Sequence, residues 1–263
     1  MLCVILSQER KKKIMIVDVI GTSCTWFKRK NTSFVLDKKF VLDVPEGAYK
    51  DILNVVDNIY NVDTILISHL HTDHALDLHI FTTRFMREKH ELQKPLKIYC
   101  PKTTFDRILE LHKLFFSAAD ECSKEAYDGR VEFVDLSDGL EFELGDYKVK
   151  AYEMAHTNKL ECFGFTFTDK SGVTIGFSAD TAVCDNLNKL VEASDYAFVE
   201  MAAEKKHPAH ICIEEFEELQ RKYPDVKMFP VHTSDRCQQY AENHGMNFLR
   251  DGQVLEFNEE GEK

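Results

Sequence analysis

The segment that most restricts this chain is Ser68-His69-Leu70-His71-Thr72-Asp73-His74. Four metal-capable side chains stand within six residues, directly after the apolar run 64–68. Imidazole and carboxylate at that density suit Zn²⁺, Mn²⁺ or Fe²⁺. Residues i and i+2 of an extended stretch project to one side, so His69 and His71 can share one ion. Asp73 and His74 lie one turn further and can address a second.

His156 follows the predicted strand 147–155, Asp180 follows 173–178, and His232 follows 227–231. Further strands are predicted at 13–20, 32–36, 39–43, 64–68, 131–136, 140–144, 163–168, 196–200 and 254–257. Apolar spacing predicts helices at 49–60, 75–90, 103–119, 186–192, 213–222 and 235–243. Two β-rich halves, each with helices, predict stacked sheets covered outside by helices.

Composition narrows the class. The 263 residues are 44% hydrophobic and include 19 Phe, which suits one large α/β domain. A formal net charge of −12 opposes a broad nucleic-acid surface. No run of 18 apolar residues predicts a membrane span. The eight Cys are scattered without a C-x-x-C pair, as free thiols in a reducing compartment are. The apolar start 1–6 precedes the basic run 10–13, the reverse of a secretory signal. The expectation is a cytoplasmic protein, with 1–12 as a disordered lead-in and 13–263 as a single domain.

The His-rich segment resembles the signature of the metallo-β-lactamase fold superfamily, and His156, Asp180 and His232 stand in order where that superfamily has its further ligands. The resemblance implies an α/β fold, the αββα four-layer sandwich, and two divalent metal ions, Zn²⁺ first and Mn²⁺ as the alternative. It implies that His69, His71 and His156 hold one metal, that Asp73, His74 and His232 hold the other, and that Asp180 bridges them. Glu at position 71 would have suggested a di-iron relative, and Cys at 180 β-lactam hydrolysis; His71 and Asp180 argue against both.

The wider pattern is most similar to the ribonuclease Z branch. Ile20-Gly-Thr-Ser23, Lys30-Asn-Thr-Ser33 and Pro45-Glu46-Gly47-Ala48 stand in the places of its early motifs. Ser178-Ala-Asp180-Thr181 is close to the S-G-D-T that the superfamily often shows. Val199-Glu200-Met201-Ala202 matches its H-E-A-T segment, and His210-Ile211-Cys212 its H-S-T segment, without the hydroxyls. Glu200 and His210 are thereby implied to form the proton-donor pair. Asp73 is implied to orient the nucleophile while ligating.

One departure separates the chain from the tRNA-processing members. Their bacterial form carries a tRNA-gripping arm between the third His and the bridging Asp, whereas here His156 and Asp180 are only 24 positions apart. That length predicts a hairpin. Armless relatives include the anti-Pycsar phosphodiesterases, homodimers that linearise cyclic CMP and UMP and also act on cyclic AMP and GMP. The expected function is hydrolysis of small nucleotide phosphodiesters, cyclic mononucleotides first, by metal-activated hydroxide attack, in a homodimer with no membrane partner and no extended RNA binding. The alternatives are tRNA 3′ processing, thioester or lactone hydrolysis, and a non-catalytic nucleic-acid-binding relative. The stretch Cys24-Thr25-Trp26-Phe27 is atypical and is expected to bring the only Trp near the site. The basic run Lys28, Arg29 and Lys30 is a candidate attractor for an anionic substrate.

Overall fold

The computed structural model describes residues 15–86, 94–115, 129–258 and 261–262. The expected lead-in 1–12, Cys3 and Cys122 lie outside them. So do 13–14 of the first predicted strand and the segments 87–90 and 116–119 of two predicted helices.

Strands whose residues are apolar on both faces form when both faces are covered. β1 (Met15–Gly21), β2 (Ser33–Leu36), β3 (Phe40–Leu42) and β4 (Thr64–Leu66) are buried along nearly their whole length. With β5 (Leu96–Cys100), β6 (Val131–Asp135), β13 (Val254–Asn258) and β14 (Gly261–Glu262) they build one sheet, in the order β14-β13-β1-β2-β3-β4-β5-β6. The second sheet runs β12-β11-β10-β9-β8-β7. Its strands are β7 (Glu141–Leu144), β8 (Tyr147–Glu153), β9 (Phe163–Thr168), β10 (Thr174–Phe177), β11 (Tyr196–Glu200) and β12 (Lys227–Val231).

Alternation along each strand sorts side chains into layers. Phe34, Leu36, Phe40, Leu42 and Leu66 face the second sheet, where they meet Phe165, Phe177, Phe198 and Phe229. Their neighbours Val35, Val41 and Ile65 face outward onto α1 (Ala48–Val55), α3 (Leu78–Met86) and α4 (Lys102–Phe115). On the far side, Ala197, Val199 and Met228 meet α5 (Asp185–Glu192), α6 (Ile213–Lys222) and α7 (Asp235–Asn243). The result is the expected αββα four-layer sandwich. Between His156 and Asp180 stands the antiparallel hairpin β9–β10.

Helix boundaries depart from the sequence expectation in two places. The helix expected at 75–90 starts earlier, as the single turn α2 (Thr72–Ala75), breaks, and resumes at Leu78. Asp77 causes the break: its N–H goes to Val44 O at 3.0 Å, and its carboxylate accepts from Tyr49 N at 3.1 Å. The helix expected at 49–60 ends at Val55, and Ile59–Asn61 forms a separate 3₁₀ turn in which Asn58 Oδ1 accepts from Tyr60 N. The motif segments after β1 and before β2 lock together, with Thr22 N and Ser23 N donating to Lys30 O at 3.1 and 3.0 Å. Gly21 permits it, since a Cβ there would stand 2.2 Å from Asn31 O.

Candidate metal centre

Four strands deliver the chemistry at their C-terminal ends. His69 follows β4, His156 follows β8, Asp180 follows β10 and His232 follows β12. Aiming side chains from strand ends to one point bends the backbone. Asp43, Ala179 and His232, which follow β3, β10 and β12, take φ of +57°, +52° and +51°. Left-handed backbone costs a residue with a Cβ roughly 1–2 kcal/mol and persists where the surrounding structure requires it.

All seven expected ligands converge. His69 Nε2 and His156 Nε2 lie 3.0 and 3.3 Å from His71 Nδ1. Asp180 Oδ2 is 3.9 Å from each of those two Nε2 atoms. On its other side Asp180 Oδ1 is 3.3 Å from His74 Nε2, and Oδ2 is 3.2 Å from His232 Nε2. Asp73 Oδ2 stands 3.9 Å from His232 Nε2. Donor atoms of His69, His71, His156 and Asp180 lie within 4.8 Å of one another, as do those of Asp73, His74 and His232. Asp180 thus sits between two ligand sets.

The donors fit cations. His74 Nε2 and Asp180 Oδ1 are buried with no hydrogen-bond partner and face only each other, at 3.3 Å, which leaves both atoms open to a cation. Burial, then the charge of His74, drives the pKa of His69 well below the usual imidazole value. Burial also lowers those of His71 and His156. Neutral imidazoles are the ligating form. Burial opposes charge on His74 as well, yet Asp180 and Asp43 outweigh it and raise its pKa well above the usual value. Burial would raise the pKa of Asp180, but His232 and His74 hold it well below the usual carboxylate range.

Outer contacts fix the imidazoles. Asp43 was missed in the sequence, where a lone Asp after a strand carries no ligand pattern. Its Oδ2 is 2.7 Å from His74 Nδ1 and accepts from Ser68 Oγ at 2.8 Å, while Oδ1 accepts from Ser68 N at 2.7 Å. A carboxylate on the far nitrogen of an imidazole sets its tautomer and orientation. His156 Nδ1 meets Ala209 O at 3.0 Å in the same way. Glu200 and His210 also meet: His210 Nδ1 lies 3.1 Å from Glu200 Oε2. Glu200 is fully buried and is fixed by Thr181 N, which donates to Oε1. Burial, then the charge of Asp180, raises its pKa well above the usual value.

A pocket of about 630 Å³ opens above the ligands, walled in part by His71, Asp73, His210 and Trp26. In the basic run beside it, Arg29 and Lys30 are engaged within the chain. Arg29 donates to Thr233 O, Thr233 Oγ1 and Thr22 Oγ1 at 2.7, 3.0 and 3.2 Å, and pairs with Asp235. Lys30 pairs with Asp51 at 2.8 Å. Arg29 therefore ties the 22–30 loop to the segment that carries His232.

The sequence profile of the anti-Pycsar protein Apyc1 family matches residues 15–255. The chain belongs to this family. Ribonuclease Z of Ligilactobacillus salivarius is 31% identical over 165 residues, 59% of this chain and 49% of that protein. An uncharacterised protein of Mycobacterium tuberculosis is 31% identical over 147 residues, 55% of this chain and 51% of that protein. The chain thus spans about half the length of these curated relatives. Among solved structures, the metallo-β-lactamase fold protein YhfI from Bacillus subtilis superposes with a TM-score of 0.74 at 16% identity, covering 94% of this chain and 100% of that one. The Apyc1 family member described here combines the metallo-β-lactamase fold with a dinuclear metal-binding cluster, as hydrolases of that superfamily do. None of its described helices is long and apolar enough to cross a membrane.

Proposed function

We propose that the chain is a dinuclear-metal phosphodiesterase that opens small cyclic nucleoside monophosphates to linear ones. His69, His71 and His156 hold one ion, Asp73, His74 and His232 the other, and Asp180 both, with Zn²⁺ first and Mn²⁺ as the alternative. When bound, two such cations lower the pKa of water toward neutrality and neutralise phosphoryl charge. Asp73 orients the attacking water, whose oxygen forms the new bond to phosphorus. His210 donates a proton to the sugar oxygen as its bond to phosphorus breaks. Glu200 meets His210 Nδ1 and fixes the orientation of the ring.

The observation that carries this reading is His210, held on Glu200 at 3.1 Å in the wall of the pocket that opens above both ligand sets. A proton donor there serves a poor alkoxide leaving group such as a nucleotide's sugar oxygen, which a thioester, with its thiolate, lacks. The hairpin-only interval before Asp180 and the net charge of −12 support a small substrate over tRNA. Family membership supports a homodimer built from one domain spanning 13–263; light scattering of the purified protein tests the dimer.

The test is a substrate panel at physiological salt, with cyclic CMP, UMP, AMP and GMP against precursor tRNA. Cleavage of tRNA at its 3′ end with kcat/KM above that of every cyclic nucleotide would replace this function with tRNA processing. His210→Ala should slow cyclic-nucleotide turnover by ~10²–10⁴-fold with metal content retained. Hydrolysis of bis-p-nitrophenyl phosphate, whose leaving group needs little protonation, should suffer less. Equal losses on both substrates would remove His210 from this role.

A further inference from the structure

We propose that Trp26 is the platform on which the substrate's nucleobase stacks. The role presupposes the nucleotide substrate proposed above and adds how the half of it that does not react is held.

Trp26 is 94% exposed, the most exposed large apolar side chain among the described residues. Its backbone is also unfavourable, with φ at +79°, a region that bulky residues avoid. An exposed indole on a strained backbone gains nothing within the chain, so the compensation is sought in a ligand. Its neighbours tie it to the metal centre. Thr25 N donates to Asp73 Oδ2 at 3.3 Å, and Cys24 N to Thr233 O at 3.4 Å. Arg29 fixes the other end of the loop on Thr233. The indole is therefore held within one residue of a backbone amide that touches a ligand carboxylate, while its own ring projects into solvent.

The pocket geometry agrees. Trp26 shares the wall with Asp73, His210 and His232, and the wall also includes Ala202 and Ala203, whose side chains are too short to fill it. Its volume of about 630 Å³ is in the range of small-ligand sites. A phosphoryl group at the ligand cluster leaves the base of a mononucleotide on the pocket side, where the indole waits. Stacking on an aromatic face tolerates every base, since each has a π-face. Trp26 thus reads the presence of a base more than its identity, which accommodates several cyclic mononucleotides in one site.

The chain has one Trp, so its fluorescence reports this residue alone. In the metal-loaded protein, AMP should quench the emission saturably and ribose 5-phosphate should not. Trp26→Ala should raise KM for cyclic AMP roughly 10-fold or more, with a smaller rise for cyclic CMP, while kcat and metal content change less than about twofold. Trp26→Phe should recover most of the loss. Unchanged KM with no quenching by AMP would overturn the proposal. So would a Trp26→Ala protein that loses self-association while KM holds, which would make the indole an interface residue. Wild-type protein that cleaves no cyclic nucleotide would instead overturn the phosphodiesterase reading, and this inference with it.

Discussion

Asp43 shows how much a single residue outside the ligand sets can carry. It meets His74 Nδ1 at 2.7 Å and takes both donors of Ser68. Asp43→Asn keeps the size and removes the charge. Metal affinity at the His74 set should fall by ~10–100-fold, read as loss of one equivalent during dialysis against a weak chelator while the second stays bound. Retention of both equivalents would assign Asp43 to folding alone. A second residue-scale prediction concerns Ala179, at φ +52° where the superfamily often has Gly. Ala179→Gly relieves left-handed strain and should raise Tm by roughly 1–3 °C; a lower Tm would contradict the strain. The seven residues that converge here were legible in the sequence because the His-rich segment, with His156, Asp180 and His232 in order at strand ends, matches the superfamily's signature. Asp43 was not, because its function depends on a partner 31 positions away in the chain. The role of Arg29 in joining two loops was not legible for a related reason: its hydrogen-bond partners at Thr22 and Thr233 exist only once the loops meet.

At the scale of elements, strands were read more accurately than helices. Strand ends are set by where apolar alternation stops, which the sequence displays. The break between α2 and α3 is set by Asp77 reaching for Val44 and Tyr49, which periodicity cannot display. The packing of α3 against α4 brings a pH dependence. His112 on α4 is buried, with Nε2 2.5 Å from Thr82 Oγ1 and Nδ1 3.3 Å from Thr83 Oγ1 on α3. Burial, then the charge of His79, pushes its pKa down to about 4 from 6.5. Between those values the unfolded chain binds the proton and the folded one does not. Stability from this residue is therefore complete above pH 6.5 and declines as pH falls toward 4. Denaturant titrations of wild type and His112→Gln across that window should show a shallower decline in the variant. Parallel curves would exclude His112 as a source of the acid sensitivity.

Over the whole molecule, the centre joins both sheets, since β4 and the residues after it supply His69, His71, Asp73 and His74 while β8, β10 and β12 supply the rest. Ions that bind only the folded state stabilise all of it. Elemental analysis of protein purified without chelator should find close to two equivalents of Zn or Mn. Their removal with EDTA should lower Tm, and readdition should restore it; a Tm indifferent to both would separate metal from fold. The closure of the first sheet has a different consequence, in time. β1 pairs with β2 beside it in the chain but also with β13, where Met15 faces Phe257. At roughly 5–20 residues per second, the roughly 240 positions between them take a ribosome about 10–50 s to supply. Throughout that interval one edge of an apolar strand stands without its neighbour, a template on which another nascent chain can add. Asp18 is the only charged residue of β1, and in the finished fold its Oδ2 is buried without a partner. The same carboxylate that is a liability at the end opposes strand-to-strand association at the beginning, as a gatekeeper charge does.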